Sequence, residues 1–220
     1  MEFTVVIPAY NEENSIKEIV ENIKKNLPKA EIIVVNDGST DNTKKIVESL
    51  NVTLINHKQN MGYGAALKTG LKKAKTKYVG FIDADMTYDP IYLKLFLEYI
   101  KKKNLDCVWG NRFGGKINKM PLIRKIGNKF INFIFFLITF KKISDCTSGE
   151  RVLSRNALKK IEVSTLPNDL DFITALTKRI VSRKLKYMEI PINYRERKGG
   201  SKLNLLKHGY KMIKNILIEK

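Results

Sequence analysis

FTVVIPAYNEENSIKEIVENIKKNLPKAEIIVVNDGSTDNT, residues 3–43, decides the architecture. Phe3 to Pro8 and Glu31 to Asn36 are short apolar runs with the length and β-branched content of buried strands. Between them Ile16, Ile19, Val20, Ile23 and Leu27 recur at helical spacing. Beyond the second run, Ser39 or Asp41 offers a cap for a helix through Ile46, Val47 and Leu50. The alternation continues outward. Val52 to Asn56 reads as a strand before a helix opened near Gly62 or Gly64, and Tyr78 to Asp83 as a strand before a helix following Pro90. A further strand lies around Cys107 to Gly110. Repeated strand–helix–strand units predict an α/β fold with a mostly parallel sheet flanked by helices.

The second half is less regular. Pro121 to Phe140 reads as a helix with an unusually apolar end, and Ser144 to Val152 as a polar loop or short strand. Asn168 to Lys184 reads as a helix, Tyr187 to Tyr194 as a last strand, and Ser201 to Lys220 as a basic helix. The simplest division is one domain over 1–200, with an amphipathic helix at about 120–142 inserted in it, and a C-terminal helix over 201–220.

With 220 residues, 43% of them hydrophobic and 29% charged, the chain is an ordinary globular protein and not a disordered one. Its charge is less ordinary. Forty-one Lys and Arg against 22 Asp and Glu leave +19, which favours an anionic partner: nucleic acid, lipid headgroups or a phosphorylated substrate. A Lys-rich proteome would load the surface in the same way. Cys107 and Cys146 have no metal or redox spacing around them, which fits a reducing compartment. MEFTVVIPAY reads as a first strand and not as a signal peptide. His57 and His208 have no partner pattern and read as surface or packing residues.

Ligands of parallel α/β sheets gather at the carboxyl ends of the strands. Here those ends are Pro8-Ala9-Tyr10-Asn11-Glu12, Asn36-Asp37-Gly38-Ser39-Thr40-Asp41 and Phe81-Ile82-Asp83-Ala84-Asp85. Carboxylates at i and i+2 point to opposite faces of a strand, but a bend where the strand ends lets both approach one cation. Their hard oxygens suit Mg²⁺ or Mn²⁺, which would also bridge a diphosphate. A lone Asp-x-Asp is common by chance; three acidic strand ends in one sheet are not.

PAYNEE (8–13), VNDGSTDNT (35–43), NMGYGAALKTG (60–70) and DAD (83–85), in that order and spacing, resemble the inverting family-2 glycosyltransferases of the Rossmann-like GT-A fold. GNRF (110–113), DCTSGERVLSR (145–155) and EIPINYRERKGGSK (189–202) are similar to a narrower group, the polyprenyl-phosphate sugar synthases typified by dolichyl-phosphate mannose synthase. By that resemblance Pro8, Tyr10, Glu12 and Asp37 hold the nucleoside, and Asp83 and Asp85 carry Mg²⁺ or Mn²⁺ on the nucleotide side. The same resemblance implies that Arg112 and Arg124 bind the acceptor phosphate, with Asp85 and Arg112 closest to the chemistry, and that Arg197, Ser201 and Lys202 close over the diphosphate. Three positions depart from the pattern: Asn36 for Asp, Thr87 for Gln and Glu150 for Phe. The first two leave GDP- and UDP-linked donors both open. Asp169 or Asp171 matches a later acidic position of the family, although N-capping explains both.

Inversion puts the acceptor oxygen opposite the departing nucleoside diphosphate, whose growing charge a metal, Arg197 and Lys202 would stabilise. A sugar hydroxyl needs a general base to attack. A phosphomonoester, with its second pKa of about 6, needs only cations that position it. FINFIFFLITF (130–140) is apolar and flanked by Arg124, Lys125 and Lys129 before it and Lys141 and Lys142 after it. It is short of the roughly 20 residues that span a bilayer, so it reads as a membrane-facing amphipathic helix or a core helix. Leu203, Leu206, Tyr210, Ile213 and Leu217 form a similar stripe, surrounded by Lys202, Lys207, Lys211, Lys214 and Lys220. These readings predict a peripheral protein at the cytoplasmic membrane face, moving a sugar from a GDP- or UDP-sugar to dolichyl or polyprenyl phosphate. Transfer to a glycan hydroxyl is the alternative, with Asp169 or Asp171 as base. Nucleic-acid binding would leave the acidic strand ends unexplained, so no nucleic-acid partner is expected. A nucleotidyltransferase would carry a basic Gly-rich loop where PAYNEE is acidic.

Overall fold

The computed structural model describes residues 1–200 and 205–218. Seven strands form one sheet: β1 (Phe3–Ala9), β2 (Glu31–Asn36), β3 (Thr53–Asn56), β4 (Tyr78–Phe81), β5 (Cys107–Asn111), β6 (Arg151–Ser154) and β7 (Tyr187–Pro191). Their spatial order is β3-β2-β1-β4-β6-β5-β7. All neighbours run parallel except β6, which is antiparallel to both β4 and β5. The mostly parallel α/β sheet expected from the sequence forms, with β6 as an antiparallel strand within it.

The first half follows directly from its apolar runs. Every residue of β1 is buried, as a central strand covered on both faces requires. Helices α1 (Ile16–Asn26), α2 (Thr43–Glu48) and α4 (Ile91–Lys102) cover one face, where Ile19, Val20, Ile23, Leu93 and Phe96 meet Val5 and Ile7. On the other face lie α3 (Tyr63–Lys73), α5 (Leu122–Thr139), α6 (Arg155–Ile161), α7 (Phe172–Ser182) and α8 (Leu205–Ile218). There Ala66, Leu67, Phe135, Phe172 and Ile216 join the core.

Ser144 to Val152, read as a loop or short strand, is loop up to Glu150 and then the start of β6, with α6 directly after it. The apolar helix settles between its two readings. Ile131 and Phe135 of α5 are buried, whereas Leu122, Ile126, Phe130, Phe133, Leu137 and Phe140 are exposed along one outward stripe, from Leu122 at 71% to Phe140 at 80%. Among the described residues no helix is long and apolar enough to cross a membrane. In α8 the stripe is split: Ile216 is buried, Tyr210 and Leu217 are exposed. Ser201, Lys202, Leu203 and Lys220, together with the side chains of Leu206 and Lys207, lie outside the described residues.

Candidate active site

A cleft of about 440 Å³ opens at the carboxyl ends of β1, β2 and β4. It brings together Pro8, Tyr10, Glu12, Asp37, Asp83, Asp85, Arg112, Arg124 and Arg197. Of the residues the sequence assigned to the donor and acceptor sites, Ser201 and Lys202 fall outside the described residues.

At one end the β2 turn is held by its own side chains. Asn36, where the family pattern has Asp, donates from Nδ2 to Asn56 Oδ1 at 2.9 Å and accepts the Ser39 amide at 3.1 Å. Gly38 has φ +71, and a Cβ there would meet the Gln59 backbone at 2.4 Å, so only glycine lets the two loops approach. The Asp37 carboxylate accepts from the amides of Met61 (3.0 Å) and Gly62 (2.9 Å) and from His57 Nδ1 at 2.6 Å. His57 Nε2 in turn meets Thr69 Oγ1 at 2.9 Å. His57 is thus a packing residue with a task, since it fixes Asp37.

The middle of the cleft is acidic. β4 ends at Phe81, so Asp83 and Asp85 lie beyond strand geometry, in a turn that continues into Met86 in the left-handed region at φ 65. Asp83 accepts from the Tyr63 hydroxyl at 2.7 Å and backs onto Gly149, where a Cβ would stand 2.5 Å from its Oδ2. Burial, then the charge of Asp85, pushes the Asp83 carboxyl up to about 7, against the opposing pull of Tyr63, Arg197 and Arg112. Asp85 Oδ1 accepts from the amide (3.0 Å) and hydroxyl (2.6 Å) of Thr87. Its Oδ2 meets Arg197 Nη1 at 2.7 Å, and Arg197 Nη2 reaches Glu12 Oε1 at 3.3 Å. Thr87 therefore orients a carboxylate in place of the longer Gln of the family pattern.

These groups fit a hard divalent cation. Two mutually repelling carboxylates, Asp85 buried and Asp83 part-buried, face one cleft, and a guanidinium already serves one of them as counter-charge. Among the described residues no cluster of three or more His, Cys, Asp or Glu could hold a metal. Further ligands would come from phosphates and water, as Mg²⁺ commonly takes them.

The opposite wall is basic. Arg112, at the end of β5, forms a bidentate pair with Asp145 at 2.7 Å on each arm, and its Nη2 also reaches Thr147 Oγ1 at 2.6 Å. Burial works against the Arg112 cation, but Asp145 outweighs it and the guanidinium is held firmly protonated. The loop carrying Asp145 is anchored to Glu189, which accepts the amides of Ser144 and Asp145 at 2.8 Å each, and to Asn132 of α5, which accepts the Cys146 amide at 3.0 Å. Arg124, on the first turn of α5, hydrogen-bonds the Tyr194 hydroxyl, and Arg112 lies over the same ring at 5.7 Å.

Asp169 lines the cleft but is engaged by Lys211 at 2.8 Å, with His208 at 3.6 Å. Burial raises its pKa and Lys211 more than reverses that, so the carboxyl titrates below its ordinary range. Asp171 Oδ2 accepts from Asn215 Nδ2, and burial raises the Asp171 pKa. Neither acid caps α7 with its side chain. Glu150, where the pattern has Phe, is fully buried, and its two carboxyl oxygens have no hydrogen-bond partner among the described residues; burial, then Asp89 and Asp83, pushes its pKa well up. Tyr63, Thr147, Asp145 and His208 were not singled out as site residues in the sequence. The only signal for Asp145 was its place in DCTSGERVLSR.

A mostly parallel sheet with this strand order, and paired acids at the end of β4, define a GT-A glycosyltransferase. The chain belongs to glycosyl transferase family 2, whose family model matches residues 4–162. It is 34% identical over 233 residues to an uncharacterized protein of Methanocaldococcus jannaschii, covering 100% of this chain and 92% of that one. A UDP-N-acetylglucosamine–dolichyl-phosphate N-acetylglucosaminyltransferase of Methanococcus voltae is 32% identical, over 98% of this chain and 95% of its own length. A dolichyl-phosphate hexose transferase of Haloferax volcanii is 31% identical, over 98% and 92%. The fold is also that of glucosyl-3-phosphoglycerate synthase from Mycobacterium tuberculosis, solved with Mn²⁺ and UDP, at a TM-score of 0.77 and 19% identity over 98% of this chain and 78% of that one.

Proposed function

We propose that this glycosyltransferase moves a sugar from a nucleoside-diphosphate donor to the phosphate of a dolichyl or other polyprenyl phosphate, with Mg²⁺ or Mn²⁺, at a membrane surface. The observation that carries the reading is the pairing of an acidic and a basic wall across one cleft. Glu12, Asp37, Asp83 and Asp85 suit a nucleotide with its cation; Arg112 and Arg124 suit a second anion facing it. A divalent ion held by Asp83 and Asp85 would supply positive charge to the leaving diphosphate. Arg112, locked by Asp145, and Arg124, on Tyr194, fix the acceptor phosphate as a nucleophile and leave its proton balance alone. That chemistry needs no general base. Asp169, one of the two acids suited to that role, is instead tied to Lys211 and weakened as a base. Its state favours a phosphate acceptor over a glycan hydroxyl.

The outward apolar stripe of α5 begins beside Arg124 and has Lys125, Lys129, Lys141 and Lys142 along it or just beyond, as suits a helix lying among lipid headgroups. The relatives' names place a dolichyl phosphate acceptor and UDP-N-acetylglucosamine first among the combinations to test. The experiment is transfer of label from UDP-N-acetylglucosamine, UDP-glucose and GDP-mannose to extractable polyprenyl phosphate. One donor should label the lipid, with loss on EDTA treatment and a fall of about 10²–10³-fold in Asp85→Asn. Label reaching only a soluble glycan would sink the lipid-phosphate reading.

A further inference from the structure

The segment after β7 lies across the acidic mouth of the cleft like a strap of cations. Arg195 pairs with Asp89, Arg197 with Asp85 and Glu12, and Lys198 with Glu18, while the amides of Arg195 and Lys198 bond the carbonyls of Thr87 and Asp85. Arg197 is the cation that reaches the bottom. Its Nη1 sits 2.7 Å from Asp85 Oδ2, the oxygen left over once Thr87 has taken Oδ1. We infer that Arg197 is a placeholder for the divalent cation, exchanged for it only when the nucleoside diphosphate arrives to receive the guanidinium. The inference rests on the metal reading of Asp83 and Asp85 given above.

Three features make the exchange physical. A divalent cation seated where Arg197 Nη1 now lies against Asp85 Oδ2 must displace that contact, so metal alone costs the guanidinium its 2.7 Å ion pair and leaves it only the longer 3.3 Å contact with Glu12. The present pose is also incompletely satisfied: Arg197 Nε is buried with no hydrogen-bond partner among the described residues, so an anion presented to its edge would gain a bond that Asp85 does not give it. Finally the strap ends in Gly199, at φ +86, and Gly200, and a Cβ at either would meet nothing within 4 Å. The backbone beside Arg197 is therefore free of steric locks against rotation toward the cleft. A bound diphosphate would bring negative charge for Arg197 and ligand oxygens for the metal together. Metal and nucleotide would then bind with strong positive coupling.

The test measures Mn²⁺ binding directly, by electron paramagnetic resonance of the free ion, with and without UDP or GDP. Wild type should bind Mn²⁺ weakly alone and at least about tenfold tighter with its nucleotide. Arg197→Ala should bind Mn²⁺ alone about tenfold or more tighter than wild type and gain less from nucleotide, since the competitor is gone. Arg197→Gln gives the same comparison with a polar side chain should the alanine variant fold poorly. Lys198→Ala removes a strap charge without touching the Asp85 side chain, and it should behave as wild type. Equal Mn²⁺ affinity in wild type and both Arg197 variants, or equal tightening in Lys198→Ala, overturns the placeholder while leaving the metal site standing. No Mn²⁺ binding in any variant with either nucleotide, or binding unchanged in Asp85→Asn, overturns the metal reading and the placeholder with it.

Discussion

On the acidic wall of the cleft Asp85 borrows its counter-charge from Arg197, a residue on an outlying strap that is itself one-quarter exposed. On the basic wall Arg112 has its counter-charge, Asp145, fully buried beside it and tied in turn through the backbone to Glu189 and through Cys146 to Asn132. The two ion pairs have the same 2.7 Å contact and opposite characters. A pair with one partner at the surface can be exchanged for a ligand at small cost, because water screens the parted charges. A pair sealed in the interior cannot be parted without stranding a charge. One wall is therefore built to change its cation and the other to keep its shape.

The strongest way to break this contrast is to remove one acid from each wall and compare stabilities. Asp145→Ala strands the Arg112 cation and should destabilise the protein by about 3–5 kcal/mol in a denaturant titration. Asp85→Ala relieves the repulsion with Asp83 and should leave stability unchanged or raise it. Equal losses in the two variants would erase the distinction between the walls. A smaller effect is expected on the outer side of the basic wall. Phe130 and Phe133 of α5 are about half exposed, at 53% and 55%, so Phe130→Ser with Phe133→Ser should spare the fold. Sedimentation with anionic vesicles should nevertheless show binding reduced by about tenfold or more. Unchanged sedimentation would mean that this face does not meet lipid.

The mildest test is pH, and it sharpens the description of the acidic wall. The folded chain holds a proton on Asp83 up to about pH 7, where an unfolded aspartate has long since lost it. The stabilising contribution of that proton is complete below the ordinary aspartate range and is lost as pH rises through about 7. A metal must displace the same proton, so Mn²⁺ affinity should fall by about tenfold per unit as pH drops below 7. A flat affinity between pH 6 and 8 would show that Asp83 is already ionised.

The strand–helix alternation of the first hundred residues was legible because β1, β2 and β4 are buried on both faces and so appear as unbroken apolar runs. β6 was not legible as a full element. It enters the sheet through Glu150 and Arg151, two fully buried ionisable residues that disguise a central strand as a polar loop. The reversal of β6 also defeats the rule that ligands follow strands. Because it runs antiparallel, the residues before it, Asp145, Thr147 and Gly149, are the ones delivered to the cleft. The strand-end acids and Arg112 could be found by position. Tyr63 on Asp83 and Arg197 on Asp85 could not be, since those contacts exist only once segments far apart in the chain have been packed together.

The same reversed strand sets a timetable for the nascent chain. β3, β2, β1 and β4 are all complete by residue 81, yet the free edge of β4 waits for Arg151 to Ser154, and β5, made in between, has both its neighbours, β6 and β7, still to come. Until residue 151 has been made, the edge of β4 that β6 covers has no partner strand in the chain. A synthesis pause between residues 111 and 151 would therefore leave the β4 edge uncovered.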